Sequence, residues 1–289
     1  MTREELIAKI HELGLAPFET EILGLVRPCL NFYTTVATSP APVTRSKLGG
    51  TPELPAGMTW PFSQPTVPMV FLGRIVGADL ARIHPHLAQQ NLLFFGDWNY
   101  QMTGKIISIP VDTPVFPLET PTFPEEMRCR SALKECDLHF SDAVSIPDSG
   151  EEIEKWRYSE ALRTHGGKEK TRWDGQIYLE YPLRELWATH FGQTSDRDDM
   201  YRLFGYPIFV QGHPAYAAEQ TFTRHPSYGE ISMADFIQKA AQWQSVISLP
   251  TDYTAGLTYG DTGSCGFLVT AADLAAGQFS AAEFYADSM

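Results

Sequence analysis

The sequence predicts an α+β fold: an internally duplicated, mainly antiparallel sheet with helices at its N-terminus. Three observations predict it. Apolar runs of strand length recur at 68–76, 91–96, 246–249 and 266–269, and the long crossover helices of a doubly wound parallel sheet are missing between them. Phe71 and Leu92 are 21 residues apart and Ile247 and Phe267 are 20, so the two halves keep nearly one spacing. Each half opens on a glycine–proline bend, Gly50-Thr51-Pro52 in the first and Gly205-Tyr206-Pro207 in the second.

The elements follow in order. Thr2 and Glu5 have capping-box spacing, and Leu6, Ile7, Ile10 and Leu13 recur at helical intervals, so the chain starts with an amphipathic helix that Gly14 stops. Pro17 suits the first turn of a second helix, which ends before Pro28. Residues 31–43 are Thr- and Pro-rich and read as extended, which completes a helical lead-in over 1–45.

Residues 46–61, SKLGGTPELPAGMTWP, organise the rest. Gly49 and Gly50 can take positive φ, while Pro52, Pro55 and Pro61 remove backbone donors, so the chain must turn and then lie extended. Leu54, Met58 and Trp60 are then presented from a stiff ribbon, expected to wrap over a sheet; a ligand lip carrying Trp60 is the alternative. Strands at 68–76 and 91–96 flank a short helical piece at 79–84, and 106–109 continues the sheet.

Five prolines punctuate 111–171, which reads as a variable surface insertion with one capped helix at 151–163. A half-buried strand at 176–181 and a short helix at 183–190 follow. A capped helix at 232–243 then carries Phe236, Ala240 and Trp243 on one face. The domain expected over 46–289 thus holds two pseudo-repeats, at about 46–110 and 200–289, around the insertion.

Composition narrows the function. With 289 residues, 43% of them hydrophobic, the chain can bury a large core. The formal charge of −13, from 35 acids against 22 bases, disfavours nucleic acid and anionic membrane surfaces as partners. Four cysteines without CxxC pairs indicate neither a structural zinc site nor a disulfide framework, and neither cofactor nor metal is expected. The opening MTREELIAKIHEL lacks the basic start and apolar run of a signal peptide, and no run reaches membrane-spanning length, so the cytoplasm is the expected compartment.

No catalytic constellation stands out. The loop 260–266, GDTGSCG, is neither a phosphate-binding loop nor a nucleophile elbow. Cys265 could act as a nucleophile if His213 approached it, but a cysteine leading an apolar strand is expected to be buried and inert. His84 and His86 have no carboxylate or cysteine at ligand spacing. Arg74 must reach water, an acid such as Asp252 or Asp261, or an anionic ligand, because it interrupts an apolar strand. Asp196, Asp198 and Asp199 form an acidic loop without the glycine and glutamate of a calcium site.

As a set, these segments resemble the YwqG-like proteins, also called the DUF1963 domain family. Ser46-Lys-Leu-Gly-Gly-Thr-Pro52, Leu54-Pro55 and Trp60-Pro61 are similar to that family's opening motif, with Phe71-Leu72 and Leu92–Phe95 as its first central strands. Gly205-Tyr-Pro207 with Gln211, and Gly260-Asp-Thr-Gly263 with Phe267-Leu-Val269, Asp273-Leu274 and Phe279, resemble its second element and closing segment. The resemblance implies a duplicated α+β fold and no established reaction. Where the family carries a glutamine in each central strand, this chain has Gly73-Arg74 and Ser248-Leu249-Pro250, so a site built on those glutamines would be altered.

The expected function is therefore a non-enzymatic protein-binding role, as an immunity protein or inhibitor that neutralises a co-encoded bacterial toxin. Association of relatives with bacterial toxin systems is part of what the resemblance implies, and Asp196, Asp198 and Asp199 would meet a basic toxin domain. The alternative is a small-ligand-binding or enzymatic module, with a pocket near Arg74, Gln211, His213 and Asp261. A structural subunit is the third possibility.

Overall fold

The structure, a computed structural model, describes residues 1–97, 102–124, 132–146, 201–209, 214–223, 239–260 and 262–288. The elements expected at 151–163, 176–181 and 183–190, and most of the helix expected at 232–243, lie outside them. Two compact units divide the chain: Met1–Leu30 with Asp142–Arg197, and Asn31–Ser141 with Asp198–Met289.

In the first unit, α1 (Arg3–Glu12) begins on the expected capping box: the Thr2 hydroxyl accepts from the Glu5 amide and the Glu5 carboxylate accepts from the Thr2 amide. A 3-10 turn at Ala16–Phe18 leads into α2 (Glu19–Gly24). Leu6, Ile10, Leu15 and Ile22 close with Ile146 into this unit's own small core.

The second unit is built on a mainly antiparallel sheet. The strands of that sheet are β1 (Arg27–Val36, whose first four residues belong to the first unit), β2 (Lys47–Leu48), β6 (Val70–Ile75), β7 (Gln90–Asp97), β8 (Thr103–Pro110), β10 (Cys136–Ser145, whose last four residues belong to the first unit), β11 (Tyr201–Leu203), β12 (Trp243–Pro250), β13 (Ser264–Thr270) and β14 (Glu283–Asp287). Two small pairs lie outside it, β3 (Glu53–Pro55) with β9 (Val115–Pro117) and β4 (Phe62–Gln64) with β5 (Val67–Pro68). The order in the large sheet is β14-β13-β12-β11-β1-β10-β2-β6-β7-β8.

The two end strands, β14 and β8, come side by side, so the sheet curls into a nearly closed barrel. Glycines make that closure possible: a Cβ on Gly104 would strike the Phe267 and Phe284 rings, and one on Gly96 would strike Phe284. Phe94 and Phe267 fill the space between with ring centres 5.5 Å apart. β10 falls within the stretch read as insertion, and β1 within the stretch read as helical lead-in, and both are central strands.

The four strands on either side of the β1–β10 pair match in detail. Lys47 and Leu48 pair with Arg74 and Gly73, as Arg202 and Leu203 pair with Ser248 and Ile247. The Gly49 amide donates to Leu72 O at 2.8 Å and the Phe204 amide to Val246 O at 2.9 Å. Lys47 Nζ donates to Thr51 O at 2.7 Å, and Arg202 Nη1 to Tyr206 O at 3.1 Å, each four residues on. Bulges interrupt the next pairing between Phe71 and Gly73 and between Ser245 and Ile247. Gly49, Gly50, Phe204 and Gly205 all hold positive φ, so both bends turn through left-handed backbone.

Trp60 is part of the wrap rather than a lip. It is buried, its Nε1 donates to Met69 O at 2.8 Å, and its ring meets Phe95 edge-on at 5.6 Å. Trp243, expected at the end of a helix, opens β12 instead. There it packs with Ala215 and Ala218 of α4 (Pro214–Thr223) and with Leu268 and Tyr285, and this tertiary packing decides its conformation.

Candidate functional site

The site grows from a conflict of charge. Pairing of β2 with β6 sets Lys47 directly opposite Arg74, both 2% exposed, and two cations so placed repel unless acids join them. The bend at Gly49–Gly50 turns the chain so that β3 carries Glu53 to both: its Oε1 lies 3.3 Å from Lys47 Nζ and its Oε2 2.5 Å from Arg74 Nη1. Glu135, just before β10, takes Lys47 through Oε2 at 3.1 Å and the Ala41 amide through Oε1 at 2.5 Å. Only glycine admits this approach, since a Cβ on Gly50 would collide with the Glu135 carboxylate and one on Gly49 with Lys134 O.

The rest of the guanidinium is also engaged. Arg74 Nε donates to Arg45 O at 3.3 Å, and Nη2 to Pro42 O at 2.8 Å and Arg45 O at 2.9 Å. Burial pulls its pKa below the ordinary arginine value, and Glu53 and Glu135 push the other way. Two buried cations thus meet two carboxylates, and the cluster carries no net charge.

A cleft of about 280 Å³ opens over this cluster, with Arg74 and Glu53 on one side. Its wall is apolar, from Val76, Leu93 and Ile109 among others, and Val43 and Val111 stand exposed at the rim. Asn91, half-buried on β7, accepts from the Gly77 amide at 3.0 Å through Oδ1. That amide can only donate, so it fixes which end of the Asn91 carboxamide is oxygen and leaves Nδ2 as a donor at the cleft. α3 (Gly77–Leu80) can lie this close because Gly77 has no side chain; a Cβ there would strike Ala88 O.

The other buried polar groups hold the fold together. Asp252 accepts from the Thr34 hydroxyl at 2.6 Å, Tyr201 at 2.5 Å and the Thr254 and Ala255 amides at 2.7 and 3.1 Å. Ser248 links to Tyr285 at 2.8 Å and accepts from the Ile208 amide at 3.0 Å. Cys265 is fully buried against the Tyr259 hydroxyl, and burial raises its thiol far above the ordinary range, which suits an inert core residue and not a nucleophile. Burial also pushes Cys136 up to about 11.

Of the residues named from sequence, Arg74 is placed in the cleft wall, and its acid is Glu53; Asp252, proposed for that part, is taken up by Thr34 and Tyr201. Gln211, His213, Asp261, Asp196, Asp198 and Asp199 lie outside the described residues. His84 and His86 stand with ring centres 5.6 Å apart, and His86 Nε2 lies 2.9 Å from Leu274 O. Among the described residues no three His, Cys, Asp or Glu side chains gather as a set of metal ligands, and no helix is long and apolar enough to cross a membrane.

A family model described as "Domain of unknown function (DUF1963)" matches residues 46–287, from the strand that carries Lys47 to the last strand of the sheet. The chain belongs to the DUF1963 family. No curated protein matches it. In this DUF1963 chain the matched segment contains the whole charge cluster and every residue lining the cleft except Val43 and Thr44. Within that cleft Arg74 and Glu53 are paired with each other, and the apolar wall is joined by Thr44, Thr113 and the oriented Asn91 amide, an arrangement that can hold a ligand.

Proposed function

We propose that this DUF1963 protein is a non-enzymatic binding protein whose cleft over Arg74 and Glu53 receives a ligand. One observation carries the reading: among the described residues the charged side chains lining the cleft are Arg74 and Glu53, which pair with each other at 2.5 Å. A catalytic acid or base needs a free proton site facing substrate, whereas recognition needs a shaped wall and a few fixed polar groups.

Native mass spectrometry of the full chain and of a Thr113→Trp variant, after incubation with a cell metabolite extract, tests it. Thr113 is half-buried in a turn at the cleft, so tryptophan there fills the space while leaving the sheet intact. An adduct of small-molecule mass on the wild type and missing from T113W is expected; no adduct, or equal adducts on both, would overturn the reading.

The scaffold under the cleft is a duplication in the same proposal. What supports it is the matched pairings, bulges and bends of β2-β6-β7-β8 and β11-β12-β13-β14, and their mirrored places on either side of β1 and β10. Each repeat then opens on one of the two ten-residue central strands, and Phe94 and Phe267 are counterparts that meet in the middle.

A second reading, an immunity protein that neutralises a co-encoded bacterial toxin, is favoured by the charge of −13. Its mechanism is steric and electrostatic block of a basic partner. Co-expression with the neighbouring open reading frame should then rescue growth and yield a stable complex, and failure of both would remove this role.

A further inference from the structure

The charge cluster decides what the cleft can take. An anion would need a cation, yet Arg74 already gives Nη1 to Glu53 and its remaining nitrogens to Pro42 O and Arg45 O. A cation would need a carboxylate, yet both oxygens of Glu53 are held by Lys47 and Arg74, and both of Glu135 by Lys47 and the Ala41 amide. A charged ligand must therefore break a buried pair to be neutralised, which costs more than a fragment-sized ligand gains. What the described lining offers instead is the apolar wall of Val76, Leu93 and Ile109, the uncharged side chains of Thr44 and Thr113, and the Nδ2 donor of Asn91, whose orientation is fixed.

We infer that the ligand is uncharged: a compact branched aliphatic group carrying one hydrogen-bond acceptor of the carboxamide or ketone kind, with Asn91 Nδ2 donating to that acceptor. The inference rests on the cleft being a binding site and adds the chemistry of what binds there. Discrimination against charge follows from neutralised surroundings, and discrimination for an acceptor from the single amide whose orientation the Gly77 N–H fixes.

Three probes with nearly the same aliphatic body separate the cases: isovaleramide, isovalerate and isoamylammonium, each titrated into the full chain by ligand-observed NMR with T113W as control. The amide should bind the wild type at least about tenfold more tightly than either ion, a difference of about 1.4 kcal/mol. Asn91→Asp keeps an acceptor for the Gly77 amide, removes the donor and adds a charge. It should lose the amide at least about tenfold and gain the ammonium ion, and its thermal midpoint reports that the fold is kept. If isovalerate or isoamylammonium binds the wild type as well as the amide does, or N91D holds the amide unchanged, the uncharged-ligand inference fails while the binding cleft stands. If no probe binds, the uncharged-ligand inference fails and the extract experiment alone decides the cleft; if all bind T113W equally, the cleft itself is not the site and both fall.

Discussion

Lys47 and Arg74 sit opposite one another on paired strands, both buried, and the carboxylate of Glu53 is divided between them, one oxygen to each. Removing one member leaves a buried charge without its partner, whereas removing both removes the problem. Arg74→Met and Glu53→Gln should each destabilise the protein by about 3–5 kcal/mol. The double variant should cost clearly less than their sum, and denaturant unfolding of all four proteins gives the coupling.

Gly49, Gly57 and Gly73 should differ sharply in tolerance. Gly57 has φ of +84° with nothing within 4 Å of a would-be Cβ, so Gly57→Ala should cost only the left-handed strain, about 1–2 kcal/mol. Gly49→Ala adds a collision with Lys134 O and Leu133 and should cost markedly more. Gly73→Ala, whose Cβ would lie 2.5 Å from Lys47 O, should loosen the β2–β6 pair and with it the cleft wall. Thermal midpoints of the three variants rank these effects.

How far the sequence reaches is visible in these residues. Strands β6, β7, β12 and β13 are legible because both their faces are buried, which leaves continuous apolar runs. β10 is not, because Asp137, His139 and Asp142, none of them buried, break the run and make it look like the mixed-charge stretch around it. Arg74 is legible as a charge inside an apolar strand. Its partner is not, since Glu53 is 21 residues away and reaches it only through left-handed turns at Gly49 and Gly50. Asn91 gives no local signal at all, because its fixed amide depends on a bare Gly77 packed beside it.

His84 should make stability depend on pH in the mildly acidic range. Burial lowers its pKa first, and neighbouring His86 lowers it further, so the folded state binds the proton less readily than the unfolded chain. Its contribution is fully present above the unfolded value of about 6.5 and is lost as pH falls below that toward the folded value. The ring also packs edge-on against Phe204 at 4.4 Å. Between pH 7 and 5 the wild type should lose more thermal stability than His84→Gln, measured by scanning calorimetry.

Asp252 acts further down the scale. Burial alone would raise its pKa, but bonds from Thr34, Tyr201 and the Ala255 and Thr254 amides outweigh that and hold it below the ordinary aspartate value. Its stabilisation is present above the unfolded value of about 3.9 and disappears as pH drops through the folded one. Asp252→Asn should be less stable at pH 7 and should show a shallower acid transition, followed by tryptophan fluorescence.

Buried thiols give a simpler check. Cys29, Cys136 and Cys265 are buried, and burial raises the pKa of both Cys136 and Cys265. In the native protein all three should resist a thiol-specific disulfide reagent over hours at pH 8, and all should react once the chain is unfolded. Peptide mapping identifies each one.

Binding without chemistry at the cleft is tested most directly by equilibrium dialysis of the full chain against a metabolite extract, with every compound quantified on both sides of the membrane and T113W in parallel. Enrichment of a few neutral compounds on the wild-type side alone, with each total amount conserved, is the result expected. A compound whose total falls while a product rises in step, in the wild type and not in T113W, would contradict it.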